Sequence, residues 1–345
     1  MTIDLSALGW DDDFAAAYAR RHDLPGQRPA RVSRVDRGIC TALAADGPVR
    51  ASLAGSLLAR GAQDPAALPC AGDWLVVRTW PDQRVTAEAV LPRRTAIVRA
   101  VAGEESFGQL LAANVDAVAV VEPVDPSPDI GRIERLLALA WESGAKPLLV
   151  LTKADLAADP LALAAQMPGR ESGVVVHAVS TRTGLGLDAL RPFVAHGRTL
   201  GLLGQSGAGK SSLVNALAGA PVMQTQTLRT DGRGRHTTTY RALVPMPGGG
   251  AVLDTPGVRL VGMFDTAAGL DRAFADVTEL AAHCRFQDCR HAEEPDCAVR
   301  AAVEDGVLNA RRFAHWQKLQ KEQMLASVRR MRRESRSKAK RLARP

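Results

Sequence analysis

The chain has 345 residues, 46% of them hydrophobic and 23% charged, with five cysteines and a formal net charge of +7. At about 150 residues per domain it is long enough for two or three units with real cores, and no run approaches the ~18 consecutive apolar residues of a membrane-spanning helix. The opening stretch MTIDLSALGWDDDFAAAYARR is acidic early and has no basic region followed by an apolar one, which predicts a protein without a secretory leader, placed in the cytoplasm and without a membrane partner.

From about residue 30 to residue 98, short β-like runs alternate with turn residues, in ARVSRVDRGICTAL, GPVRASLAGSLLA, CAGDWLVVRTW and QRVTAEAVLPRR. This texture predicts a small barrel. Trp74, Val76 and Val77 suit a pleated, half-buried surface, and the oligonucleotide-binding type is the commonest barrel of this length. From about residue 115, apolar runs alternate with helical segments, the pattern of a parallel sheet with crossover helices. Strands are predicted in DAVAVVEP, KPLLVLT, GVVVHAVS, TLGLLG, YRALVPM and GAVLDT, with helices in IGRIERLLALAWES, GLDALRPFV and GKSSLVNALAG. After Phe264 the chain reads as helical again, through AAGLDRAFADVTELAAH and a long LNARRFAHWQKLQKEQMLASVRRMRR.

Between a predicted strand and a predicted helix, Gly204, Gln205, Ser206, Gly207, Ala208, Gly209, Lys210 and Ser211 fit G-x-x-x-x-G-K-[ST], followed by Ser212. Glycines let successive backbone amides face phosphate oxygens, the helix N-terminus adds partial positive charge, and Lys210 neutralises the outer phosphates while Ser211 ligates Mg²⁺. In VLDTPG, Asp254 at the end of an apolar strand is placed to hold Mg²⁺ through water, and the Gly257 amide to meet the γ-phosphate. The base is read from Thr152, Lys153, Ala154 and Asp155. A fixed carboxylate accepts from the two neighbouring N–H donors of guanine but meets an acceptor on adenine. Thr152 stands where Asn is usual. Ser180 and Thr181 lie where a backbone amide meets the guanine oxygen, with Thr181 in place of the usual Ala.

Three of the five cysteines fall within 284–297, and an odd count without a leader argues against a disulfide framework. Cys284, Cys289, His291 and Cys297 form C-x₄-C-x-H-x₅-C, a three-thiolate, one-imidazole set suited to structural zinc. His283, directly before Cys284, is a competing ligand, but two neighbouring residues rarely both reach one metal. The last 17 residues carry nine Lys or Arg and one Glu; without them the chain holds 35 basic and 36 acidic residues. The excess charge is therefore a tail, and cations clustered on one segment favour a polyanion contact.

The base-reading half precedes the phosphate-binding half, the reverse of the usual order. Chain termini lie close together in most domains, so a sheet of this kind can be opened at another loop and still fold. With the barrel in front, LAANVDAV entering the sheet and GRGRHTTT ahead of the Mg²⁺ strand, the chain resembles the ribosome small-subunit-dependent GTPase A family of circularly permuted GTPases over nearly its whole length. The resemblance implies an oligonucleotide-binding-like barrel within residues 1–98, a permuted α/β GTPase unit over 99–264, and a zinc-binding helical unit with a basic tail over 265–345. It also implies GTP or GDP, Mg²⁺ and one Zn²⁺ as cofactors, the 30S ribosomal subunit and its rRNA as partners, and a role in late maturation of that subunit; a monomer is expected.

In DGRGRHTTTYRAL, Thr238 or Thr239 would supply the Mg²⁺-contacting hydroxyl of the first switch. Val258 stands where many GTPases carry a water-positioning Gln, so turnover is expected to be slow unless a partner, or His236 swinging in, completes the site. The permutation joins the segment after DTPG directly to the zinc unit and tail, a covalent lever from γ-phosphate to RNA contact. The competing reading is an RNA-binding zinc protein that keeps GTP as a structural ligand. A P-loop ATPase or small-molecule kinase is disfavoured by Asp155.

Overall fold

The computed structural model describes residues 2–20, 24–100, 108–170, 172–223, 242–255 and 267–342. Helix α1 (Asp12–Ala19), whose first turn is capped by the Asp11 carboxylate accepting from the Phe14 amide, precedes a closed five-stranded barrel. Its strands are β1 (Gln27–Asp36), β2 (Ile39–Ala44), β3 (Gly47–Leu53), β4 (Trp74–Thr79) and β5 (Val85–Val90), in the order β1-β2-β3-β5-β4 with β1 pairing back onto β4. Successive side chains of a strand point to opposite faces, and β4 serves two cores in this way. Leu75 and Val77 fill the barrel with Val32, Cys40 and a set of alanines, while Trp74 and Val76 join the core shared with the larger sheet.

The run GPVRASLAGSLLA was expected to be β-like throughout, yet it ends in helix α2 (Gly55–Gln63). Leu57, fully buried, closes one side of the barrel core from this helix. In this helix Leu57 packs among the barrel residues while Leu58 faces outward.

A hairpin of β6 (Ala96–Ala100) and β7 (Gly108–Ala113) links the barrel to the main sheet. Arg31 pins the junction. Its guanidinium is buried and donates to the carbonyls of Leu8, Gly72 (3.4 Å) and Asn114 (2.7 Å), one each from the N-terminal segment, the barrel and the entry to the sheet. Burial pulls its pKa down to about 10.

The main sheet contains β8 (Ala117–Pro123), β9 (Lys146–Thr152), β10 (Val175–Ala178), β11 (Thr199–Leu203), β12 (Ala242–Pro245) and β13 (Ala251–Asp254), ordered β10-β9-β8-β11-β13-β12. All neighbours are parallel except β12 against β13. β8 and β11 are buried along their whole length, as expected of strands covered on both faces, which is why they read as unbroken apolar runs. Helices α3 (Ile130–Glu142), α4 (Pro160–Ala165) and α5 (Lys210–Ala218) are the crossovers. The predicted helix in GLDALRPFV is a 3₁₀ segment, Leu187–Val194, with Pro192 inside it; proline has no N–H for a regular α-helical bond.

Beyond the sheet lie α6 (Ala267–Ala273), α7 (Ala275–Ala281), α8 (Ala298–Glu304) and α9 (Ala310–Leu342). The stretch AAGLDRAFADVTELAAH is helical as expected, in two helices that join at Phe274, which leaves helical geometry (φ −121°, ψ 45°) and is fully buried in a core with Val277, Val299, Trp316 and Leu319. These helices are fastened to α3. Buried Glu134 accepts from Arg312 (2.7 Å) and His315 (2.6 Å), Arg312 also holds Asp276, and Glu142 accepts from the Gly269 amide (3.0 Å). Arg135 pairs with Glu322 further along α9. At 1.5 Å per residue the 33-residue α9 is about 50 Å long, and Leu319 is its last fully buried residue among those described. The basic C-terminal stretch is therefore a helix through Leu342. Among the described residues, no helix is long and apolar enough to cross a membrane.

Candidate nucleotide site and metal cluster

The turn from β11 into α5 carries the Gly-rich loop at the C-terminal end of a central parallel strand, where open α/β sheets receive ligands. Gly204 packs so tightly on β8 that a Cβ there would lie 2.4 Å from the Val121 carbonyl oxygen, and Gly209, which caps α5, has φ +92°. Neither position takes a side chain without strain. Ala208 is buried, Ser206 and Gly207 are exposed, and Gln205, Ser211 and Ser212 are half-buried. Lys210 opens α5 and is only 7% exposed. Its Nζ donates to the carbonyls of Gly204 and Gln205, both at 2.9 Å, so the ammonium is held under the loop. Burial lowers its pKa, with the Asp254 charge opposing.

Asp254 ends β13, one strand away, and is 1% exposed; its Oδ1 has no hydrogen-bond partner among the described residues. Burial pushes its carboxyl up to about 6, with Lys210 drawing it back. A buried, unsatisfied carboxylate oxygen facing a phosphate loop is a place for a hydrated cation. Thr255, next in the chain, donates to Leu202 O at 2.6 Å and ties β13 to β11.

Residues 152–155 leave the end of β9. Thr152 Oγ1 donates to the Ala208 carbonyl at 2.6 Å, so the residue that departs from the usual Asn still fastens this segment to the phosphate loop. Lys153 adopts φ +57°, with its Nζ 3.5 Å from Asp125 O, and the Ala154 amide donates to Val179 O just past the end of β10. Asp155 Oδ1 accepts from Ser180 Oγ, and Asp155 Oδ2 accepts from Arg182 Nε (2.9 Å) and Nη2 (2.7 Å). The Ser180 and Arg182 hydrogen bonds hold the Asp155 carboxyl below the usual carboxylate range. Ser180 is buried and Thr181 exposed.

Between α7 and α8, the ligand atoms of Cys284, Cys289, His291 and Cys297 all lie within 4.8 Å of one another; His283 is not in the set. Cys284 Sγ is 3.5 Å from His291 Nδ1 and 3.9 Å from Cys297 Sγ, and His291 Nδ1 is 3.4 Å from Cys297 Sγ. Tetrahedral zinc, with Zn–S near 2.3 Å, has S···S edges of about 3.8 Å. The donor chemistry and spacing fit a closed zinc site.

The RsgA GTPase family profile matches residues 90–264. The small ribosomal subunit biogenesis GTPase RsgA of Streptomyces coelicolor is 49% identical over 322 residues, covering 92% of this chain and 86% of that protein. The chain belongs to the RsgA GTPase family. A second relative of the same description, from Streptomyces avermitilis, is 46% identical over 92% of this chain and 85% of its own length. Among solved structures, YjeQ from Thermotoga maritima aligns with a TM-score of 0.59 at 25% identity, covering 85% of this chain and 97% of that one. YloQ, described as a circularly permuted GTPase, aligns at 0.58 and 24% identity over 88% and 97%, a likeness of fold. The RsgA-family chain is thus a GTPase with a permuted α/β unit, a closed five-stranded barrel and a C-terminal Cys₃His cluster.

His236, Thr238, Thr239, Gly257 and Val258 lie outside the described residues. Arg182 is a contact that motif reading does not single out; the available signal was its place two residues after Ser180. Glu122 is another. Buried at the end of β8, it holds Arg132 and the Asp129 amide (3.1 Å) and so shapes the loop facing Lys153. A lone Glu at a strand end carries no pattern to announce this.

Proposed function

We propose that this GTPase acts on the 30S ribosomal subunit in its late maturation, gripping rRNA with the barrel, the Cys₃His unit and the basic end of α9, and coupling hydrolysis to release of itself or of another factor. The observation that supports it most is the convergence on one sheet edge of a phosphate loop, a buried carboxylate and a base-reading Asp, in permuted order, on a chain whose relatives are named small ribosomal subunit biogenesis GTPases. We assign residues 1–98 to the barrel-bearing part, 99–264 to the GTPase and 265–345 to the zinc-bearing part and tail, in a cytoplasmic monomer.

In this reading Asp155 takes the two guanine N–H donors, Lys153 lies along the base, and the loop amides with Lys210 surround the phosphates. Ser211 and Asp254 would hold Mg²⁺, which when bound would supply charge neutralisation for the transferring phosphoryl group. Gly257, Thr238 or Thr239, and His236 as a water-positioning group complete the assignment. Cys284, Cys289, His291 and Cys297, all in the connection between α7 and α8, would hold one Zn²⁺.

The deciding experiment is GTP hydrolysis by the full chain with and without purified small subunits. Turnover is expected to be slow alone and to rise with subunits; no turnover under either condition would favour GTP as a structural ligand. For the metal, elemental analysis of the native chain is expected to find one zinc, and Cys289→Ala to lower that content and loosen the C-terminal helices while GDP binding stays within about twofold. A metal-free native protein would remove zinc from the proposal.

A further inference from the structure

We propose that Arg182 is an intramolecular competitor for the base-reading carboxylate, lowering the affinity for GTP and GDP by the same factor. The proposal rests on Asp155 reading guanine. The N1–H and 2-amino group of guanine form a guanidine-like pair of donors about one carbon. Nε and Nη2 of Arg182 form the same pair about Cζ, and both donate to Asp155 Oδ2, at 2.9 and 2.7 Å.

Oδ2 thus has both its lone pairs engaged, and Oδ1 already accepts from Ser180. Ser180 is fixed in place. It is fully buried, and its Oγ accepts from the amides of Arg182 (3.3 Å) and Thr183 (3.2 Å), which directs its own hydrogen to Asp155. Its bond leaves a lone pair on Oδ1 for one guanine donor. The second guanine donor needs Oδ2, so the base completes its pairing only after the Arg182 fork withdraws.

Withdrawal is cheap. The Arg182 side chain is 73% exposed and competes as a surface ion pair, worth a factor of roughly 1.5 to 5 in affinity. Arg182 acts before the nucleotide is seated and does not distinguish a diphosphate from a triphosphate. Its effect therefore falls on association, leaves dissociation unchanged, and shrinks as salt screens the pair.

The test measures binding of GDP and of a non-hydrolysable GTP analogue, each with a fluorescent ribose label, to the full chain by stopped flow. Arg182→Gln is expected to tighten both by about 1.5- to 5-fold through faster association at unchanged dissociation. The same substitution in an Asp155→Asn background is expected to change nothing. Arg182→Lys, which keeps the charge but loses the fork, is expected to fall between wild type and Arg182→Gln. Weaker binding with faster dissociation in Arg182→Gln would overturn the proposal and place Arg182 on the bound nucleotide. Unchanged affinity at low salt would overturn it as well. If Asp155→Asn alone left GDP affinity unchanged, the base reading itself would fail and this inference with it; a weakened Asp155→Asn beside an inert Arg182→Gln would sink only the latter.

Discussion

Replacing Lys210 with alanine is expected to lower kcat for GTP by on the order of 10²- to 10³-fold or more, the scale seen when one preorganised donor to a charged transition state is removed. The ammonium is buried under the loop, held by the Gly204 and Gln205 carbonyls, so it is placed before any substrate arrives. Two effects add. The developing charge on the phosphates loses a buried cation, and buried Asp254 loses the charge that offsets its desolvation, which moves its carboxyl further toward the neutral form and away from the metal-holding role proposed for it. Single-turnover assays at saturating GTP and Mg²⁺ check the first effect. A thermal melt of the variant separates lost chemistry from a loosened loop, because the two carbonyls lose their donor together. Turnover within a few-fold of wild type would remove Lys210 from the catalytic assignment.

Asp155→Asn is expected to weaken GTP and GDP by roughly 10²-fold, as follows from losing a charge-assisted hydrogen bond worth about 1.5–3 kcal/mol and facing an amide N–H with a base N–H. Xanthosine triphosphate, with a carbonyl where guanine has its amino group, is expected to gain what GTP loses, since an amide can donate to that oxygen and accept from the neighbouring N–H. A competition titration with GTP, xanthosine triphosphate and ATP measures the switch, and hydrolysis of the preferred triphosphate shows that the phosphate side of the site is intact. GTP affinity equal to wild type would count against guanine reading by this residue.

Local order in the sequence was enough to locate the phosphate-loop turn, the buried strands and the Cys₃His set. Gly209 at a positive φ before Lys210, the apolar runs of β8 and β11 and the close spacing of 284–297 each leave a mark within one short stretch: backbone sterics, an unbroken apolar run where a strand is covered on both faces, and ligand reach. The same local signals mistook α2 for strand and did not mark Phe274, where a fully buried side chain sits at the join of two helices. Strand order was decided only by the tertiary structure. Placing β8 between β9 and β11 brings Thr152 onto Ala208 across 56 residues, and the β9–β10 pairing brings Asp155 to Ser180 and Arg182. It also fastens the Cys₃His helices to α3 through Glu134, Arg312 and His315, so any lever from the nucleotide must work against that clamp. No periodicity encodes such pairs, since each depends on where two separate stretches of chain are carried by a core neither contains alone.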